Sequence, residues 1–110
     1  MAYDKHLAQR VREVLREEGI EFIEQRMFGS LAFAVRGNLA CGVSGDSLFA
    51  RVGLVAYEEA LARPHTAPFP GSGRPMRGWV TVAPAGCDST DALEIWVRQA
   101  VDFALTLPPK

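Results

Sequence analysis

The fold of this protein is decided by residues 26–52, which read RMFGSLAFAVRGNLACGVSGDSLFARV. Two turn signals, Gly37-Asn38 and Gly45-Asp46, divide this stretch into three apolar runs of the kind that form strands. Two-residue loops between antiparallel strands require positive φ angles, which glycine and asparagine adopt at low cost. The stretch therefore predicts a three-stranded antiparallel meander.

The turns also predict which residues share a face, because side chains alternate along a strand. A loop at the first turn signal places Phe33 opposite Gly42, and a loop at the second places Gly42 opposite Phe49. One predicted face is small, aliphatic and suited to helix packing: Ala32, Ala34, Leu39, Cys41, Val43, Leu48, Ala50 and Val52. The other is apolar but includes an arginine: Leu31, Phe33, Val35, Ala40, Phe49 and Arg51. We expect this second face to be partly open or a subunit contact.

Helices and further strands are predicted on both sides of the meander. Apolar residues at helical spacing predict a first helix over 3–18, with Asp4 as its N-cap and Gly19 as its left-handed C-terminal residue. An edge strand is predicted over residues 20–27, and a short helix, ended by Pro64, over residues 53–63. A long surface connection is predicted over residues 65–78, followed by another strand over residues 78–83. A last helix begins after Asp88 or Ser89 and ends at Pro108-Pro109.

The two apolar stripes and the chain order complete the predicted fold. The apolar stripe of the first helix is Leu7, Val11, Val14 and Leu15. The short helix is predicted to direct Leu54, Tyr57 and Leu61 inward. The apolar stripe of the last helix is Leu93, Trp96, Val97, Ala100, Phe103, Ala104 and Leu107. The order α-β-β-β-β-α-loop-β-α predicts a single α+β domain over residues 1–110, a mostly antiparallel sheet with helices on one face.

Composition narrows the classes of function. The net charge of −1 gives no general attraction to nucleic acid, and no apolar run approaches the ~20 residues of a membrane span. The start of the chain does not have the pattern of a signal peptide. Cys41 and Cys87 lack the spacing of a disulfide scaffold or a zinc site. We expect a cytoplasmic protein with reduced thiols and without metal or cofactor.

Five motifs, in this order, carry a resemblance to a known family: residues 26–33 (RMFGSLAF), 37–43 (GNLACGV), 48–53 (LFARVG), 73–80 (GRPMRGWV) and 107–110 (LPPK). Together they resemble the TfoX N-terminal domain family, over nearly the whole chain. The resemblance implies an α-β-β-β-α-β-β-α-like fold, similar to the secretion-chaperone type. It also implies a relation to bacterial regulators of natural competence, in which a second domain follows. This chain resembles the stand-alone members, and it has Ser30 where the family has a second glycine after Met27-Phe28-Gly29.

Catalytic templates do not fit the sequence. Residues 42–46 lack the spacing of a nucleophile elbow, and residues 73–78 have the glycine spacing of a phosphate-binding loop without its lysine and hydroxyl residue. His6 and His65 have no partner at metal-ligand spacing and are expected to be solvated. Cys41 is expected to be a buried, inert thiol. Cys87 is either structural or, just before a helix, a thiol whose ionised form the helix dipole favours.

One set of residues is the candidate interaction or anion-binding patch: Arg26, Met27, Phe28, Gly29, Arg51, Arg74, Arg77 and Trp79. Arginine beside aromatic and methionine side chains is typical of protein contact centres. The alternative is that the apolar members are core and the arginines extend outward.

Two hypotheses of function follow. The first is a non-catalytic interaction or regulatory domain that binds a protein partner or a second copy. The second is a binder of small anionic ligands, or a weak enzyme, that uses the four arginines.

Overall fold

The computed structural model describes residues 3–27, 29–70 and 74–110. These residues form three α-helices, six strands and a short 3₁₀ helix, Pro84–Gly86. In chain order the helices and strands are α1 (Lys5–Glu17), β1 (Ile23–Met27), β2 (Ser30–Val35), β3 (Asn38–Ser44), β4 (Ser47–Arg51), α2 (Gly53–Leu61), β5 (Thr66–Pro70), β6 (Pro75–Val82) and α3 (Thr90–Leu105). The fold class is α+β, as the sequence predicts.

The described strands form one antiparallel sheet in the order β1-β2-β3-β4-β6-β5. The helices pack on one face of it, as predicted. Buried side chains of all three, such as Val11, Tyr57 and Val97, belong to the same core as the strand residues. The end of α2 also reaches α3, since the Arg63 guanidinium stacks 3.5 Å from the centre of the Trp96 ring.

The first helix begins and ends as its sequence predicts. Asp4 Oδ1 accepts hydrogen bonds from the backbone N–H groups of His6 and Leu7 at 2.9 and 3.1 Å. At the other end Gly19 has a φ of 72°, and the N–H of Ile20 donates to the carbonyl oxygen of Leu15 at 3.0 Å. This left-handed glycine termination satisfies carbonyls that the helix leaves free. The four predicted stripe residues are all buried.

The second hairpin of the meander has the predicted register, and the first does not. Gly42 lies opposite Phe49, as expected for a loop at Gly45-Asp46. In the first hairpin Val35 pairs with Asn38, so the loop residues are Arg36 and Gly37, with φ angles of 54° and 84°. Asn38 begins β3 instead, because its buried side-chain amide donates to the Pro108 carbonyl oxygen at 2.9 Å.

This shift, with a bulge between Phe33 and Ala34, changes the faces of β2 and of the start of β3. Phe33 pairs with Cys41 instead of Gly42, and a one-residue change of register moves side chains to the opposite face. The predicted faces are therefore wrong for part of the meander. Leu31, Phe33, Val35 and Ala40 belong to the core, whereas Ala32, Ala34 and Leu39 do not. The core assignment of Cys41, Val43, Leu48, Ala50 and Val52 is correct.

The predicted surface connection over 65–78 is also wrong in large part. Thr66–Pro70 forms β5, and β6 begins at Pro75, well before the predicted start at Gly78. Because β5 is an edge strand, its prolines have a side without a strand partner, where a missing N–H costs no ladder hydrogen bond. Residues 71–73 lie outside the described residues.

The last two helices follow the predicted pattern with local exceptions. On α2, Tyr57 is buried as predicted, but Leu54 is 68% exposed. The buried stripe of this helix consists of Gly53, Tyr57 and Ala60, and Leu54 lies off it. Ser89 is the N-cap of α3, since its Oγ accepts from the Ala92 N–H at 3.1 Å. The stripe of α3 is buried from Leu93 to Ala104, with Phe103 half-buried.

Candidate functional site

The sheet face opposite the helices is the candidate functional site. Along β4, Phe49 and Arg51 alternate with the core residues Leu48 and Ala50, and Phe49 is not part of the core that the helices cover. We call this surface the open face and define it by Ala32, Ala34, Phe49, Arg51, Phe69, Trp79 and Thr81. Ala32, Ala34 and Phe49 are buried, and the accessible part consists of the half-buried Arg51, Phe69, Trp79 and Thr81. Three of its residues, Phe49, Phe69 and Trp79, form the aromatic cluster.

The aromatic cluster joins strands β4, β5 and β6. The ring centre of Phe49 lies 5.0 Å from that of Phe69 and 6.0 Å from that of Trp79, and the last two are 6.2 Å apart. Tilted rings at these distances attract each other by about 0.5–1.5 kcal/mol per pair beyond their buried area. Phe69 and Trp79 remain half-buried, so the cluster is held in place while part of it faces solvent.

A glycine on β3 makes room for the cluster. A Cβ atom on Gly42 would overlap the Phe49 ring, with Cε2 at 2.7 Å, and would also collide with the Leu31 carbonyl oxygen. The Phe49 ring therefore lies directly over the bare backbone of Gly42. Aromatic cover of a strand glycine is a known device in sheets, and the sequence predicts it here for both Phe33 and Phe49. The prediction is confirmed for Phe49 and is wrong for Phe33, which lies opposite Cys41 and belongs to the core.

Arg51 lies beside the aromatic cluster at the end of β4. Its guanidinium carbon is 5.4 Å from the centre of the Trp79 ring and 5.5 Å from that of the Phe103 ring. A cation within about 6 Å of an aromatic ring is attracted by the ring quadrupole. The side chain is half-buried, so two rings orient a charge that still reaches solvent.

The predicted patch divides into two parts that lie far apart. Arg51 and Trp79 pair across β4 and β6, whereas Arg26 and Met27 are on β1, three strand spacings or about 14 Å from β4. Arg74 and Arg77 are exposed, just before and within β6. Gly29, with a φ of 83°, connects β1 to β2. Phe28 lies outside the described residues.

The β1 edge carries exposed apolar side chains. Ile23 is 66% exposed and pairs with Ala34; Met27 is 37% exposed and pairs with Ser30. Since directly paired residues of a sheet share a face, Ile23 extends the open face to its β1 edge.

One contributor to the site was missed from the sequence. Phe69 lies between Pro68 and Pro70, in the segment predicted to be a loop. The sequence does offer one signal for Phe69, which is a single aromatic residue between two prolines. A large aromatic side chain is unusual in an exposed loop and therefore indicates a packing or binding role. Its partners, Phe49 and Trp79, are distant in sequence.

Both cysteines are buried, free thiols. Burial raises the pKa of the Cys41 thiol to about 12, in agreement with the predicted inert thiol. Burial also raises the pKa of Cys87, whose Sγ lies 3.7 Å from the Ala83 carbonyl oxygen. Of the two predicted roles for Cys87, this direction favours the structural one, because burial disfavours the charged thiolate.

The buried Cys41 thiol predicts a loss of stability at alkaline pH. Above pH 9 the thiol ionises in the unfolded chain but stays protonated in the folded one until about pH 12. The unfolded chain then binds fewer protons, so the free energy of unfolding falls as pH rises, by about 1.4 kcal/mol per pH unit from this group. Urea denaturation between pH 8 and 10.5 measures the slope. Cys41→Ala should have a shallower slope, and an unchanged slope would contradict the assignment.

The described residues contain no group of three or more histidine, cysteine, aspartate or glutamate side chains arranged to hold a metal ion. No helix among them is long and apolar enough to cross a membrane.

Comparison with known proteins identifies the family. No curated protein matches the chain. The sequence pattern of the TfoX N-terminal domain matches residues 13–104, which extend from the middle of α1 nearly to the end of α3 and include every described strand. The match covers well over half of the 110 residues, and the sequence motifs of the meander and of β6 lie inside it. The chain belongs to the TfoX N-terminal domain family.

Proposed function

We propose that this domain is a non-catalytic, regulatory protein-interaction domain that binds its partner through the open face. The observation that carries the proposal is the partly exposed aromatic cluster on the sheet face opposite the core, with Arg51 at its border between Trp79 and Phe103 of α3. Family membership supports a competence-regulator-like domain.

The composition and order of the open face support binding of a protein. Tryptophan and arginine are enriched among the residues that contribute most to interfaces. Ordering a side chain on association costs free energy, about 0.5–1.5 kcal/mol for a flexible one. Contacts among Phe69, Trp79 and Arg51 already restrict these side chains, which lowers that cost.

The arrangement favours this function over binding of a small anion by four arginines. Arg26 and Arg51 lie on strands that are three spacings apart, too far for one small ligand. A cleft of about 810 Å³ lies between the α1–β1 connection and the end of α3, but its lining is mostly apolar, and Arg36 is the arginine that borders it. None of Arg26, Arg51, Arg74 and Arg77 lines this cleft.

We also propose that the domain works in the cytoplasm. Two buried, unpaired thiols fit a reducing compartment. The net charge of −1 favours a protein partner over nucleic acid, whose binding depends on phosphate neutralisation.

Site-specific photo-crosslinking tests the open face. A photoreactive phenylalanine analogue is placed at Phe69 in the chain produced in bacterial cells, and the matched control carries it at Ile95 of α3, which is 56% exposed. We expect a discrete adduct from position 69 and none from position 95. Arg51→Ala should reduce the adduct at least tenfold, which corresponds to a loss of about 1.4 kcal/mol of binding free energy.

The mass of the adduct separates the kinds of partner. A mass of two chains shows self-association through the open face, and another discrete mass shows a different protein. No adduct at position 69, or equal adducts at both positions, would contradict the proposal, provided that circular dichroism shows each variant to be folded.

A further inference from the structure

We infer that the free edge of β1 pairs with β1 of a second copy of this chain, antiparallel and with the two-fold axis at Gln25. This inference concerns the edge of the sheet, not its open face, so it does not depend on the proposed function. It joins two six-stranded sheets into one continuous sheet.

The two ends of the sheet differ in their capacity to add a strand. At one end β5 carries Pro68 and Pro70, which lack the N–H donor that a ladder needs. At the other end β1 contains no proline, and all five of its residues are exposed. Among the described strands β1 pairs only with β2, so the outward backbone groups of β1 are available to another chain.

The β1 sequence, IEQRM, is complementary to itself about its centre. In the antiparallel arrangement Glu24 faces Arg26 of the partner subunit, and Arg26 faces the partner's Glu24. Ile23 faces Met27 of the partner subunit, and Gln25 faces its own copy. Opposite charges and apolar pairs directly across two strands each stabilise a sheet.

Other registers lose this complementarity. A shift of two residues in one direction places Glu24 against the partner's Glu24, and in the other direction Arg26 against the partner's Arg26. Like charges directly opposite each other are destabilising. A shift of one residue conflicts with the pleat, because facing side chains would then point to opposite faces of the sheet. The charge pattern therefore selects one register.

The surroundings of Glu24 keep it charged for this contact. On the helix side Arg12 donates to both carboxylate oxygens of Glu24, from Nε to Oε2 and from Nη2 to Oε1 at 3.0 Å, and this hydrogen bonding lowers the pKa of Glu24. Arg16 lowers it further. An ionised carboxylate offers about four acceptor positions, so Glu24 can bind Arg12 of its own chain and Arg26 of the partner subunit together.

Charge reversal and mixing test the pairing by analytical ultracentrifugation from about 10 µM to about 1 mM, the range of a weak interface. The native chain should dimerise with increasing concentration. Arg26→Glu and Glu24→Arg, each alone, should weaken dimerisation at least tenfold, because like charges then face each other. An equimolar mixture of the two variants should dimerise again, since every charge meets its opposite. Lys5→Glu, which changes charge by the same amount on exposed α1, should behave as the native chain.

Several results would overturn the inference. The first is that the native chain stays monomeric over the whole concentration range, and the second is that a dimer forms but is insensitive to Arg26→Glu. The third is that the mixture fails to dimerise although circular dichroism shows both variants to be folded. Because Glu24→Arg also removes the contact with Arg12, hydrogen exchange of the native chain gives a second readout. Amides of residues 23–27 should gain protection as concentration rises, and unchanged protection rejects the pairing. The photo-crosslinks at position 69 report separately on the open face.

Discussion

Replacing Phe33 with alanine is expected to destabilise the domain by about 3–5 kcal/mol, the usual cost of removing a fully buried aromatic ring. Phe33 has no exposed surface, lies opposite Cys41 in the sheet, and meets Phe22 edge to face with ring centres 5.7 Å apart. Urea denaturation followed by circular dichroism measures the loss.

Leu39→Ala is the matched control for Phe33→Ala. Leu39 lies in the same hairpin, opposite Ala34, and is half-buried outside the core. Because Leu39 is only half-buried, its truncation is expected to cost about 1 kcal/mol, the centre of the range for single substitutions. If the face assignment from the sequence were right, Leu39 would be the core residue and Phe33 the tolerant one. A larger loss from Leu39→Ala than from Phe33→Ala would therefore contradict the observed register.

The sequence predicts those parts of the fold that depend on local pattern. Helical spacing finds the stripes of α1 and α3, and Asp4 and Gly19 mark the ends of α1 because capping involves residues only a few positions apart. The loop at Gly45-Asp46 is predicted correctly for the same reason. The first hairpin fails because Asn38 is committed to Pro108, 70 residues later in the chain. Turn propensities of neighbouring residues do not include such a long-range contact. With Asn38 held in β3, the positive φ angles fall on Arg36 and Gly37.

The candidate site is predicted in part for a similar reason. Composition indicates both Arg51 and Trp79 as binding residues, and the pairing of β4 with β6 brings them into contact. The same criterion indicates Arg26, but strand order places it on the edge strand β1, three strands away from β4. The sequence does not indicate Phe69, because β5 is a strand through its pairing with β6 and not through its own proline-rich sequence. Residue type indicates which side chains are suited to binding, whereas topology decides which of them meet.

Replacing Gly53 with alanine is expected to destabilise the domain by about 2–5 kcal/mol, the sum of backbone strain and overpacking. Gly53 has a φ of 87°, a conformation that costs a residue with a side chain about 1–2 kcal/mol. Its added Cβ would also overlap the Phe103 ring, with Cδ1 at 2.6 Å. Forcing this ring aside should also displace Arg51, whose guanidinium lies 5.5 Å from the ring centre. The same substitution should therefore disturb the open face.

Gly45→Ala separates the two costs of Gly53→Ala. Gly45 also has a positive φ, 59°, but its added Cβ would meet no atom within 4 Å, so we expect only the strain of about 1–2 kcal/mol. In the Gly53→Ala background, Phe103→Leu should recover part of the loss by making space, a positive coupling that a double-mutant cycle measures by urea denaturation. Equal losses for both glycines, or strictly additive effects of Gly53→Ala and Phe103→Leu, would show that Phe103 does not restrict position 53. A positive coupling would show that the contact between Phe103 of α3 and Gly53 at the start of α2 stabilises the fold. It would also support a role of this contact in positioning Arg51.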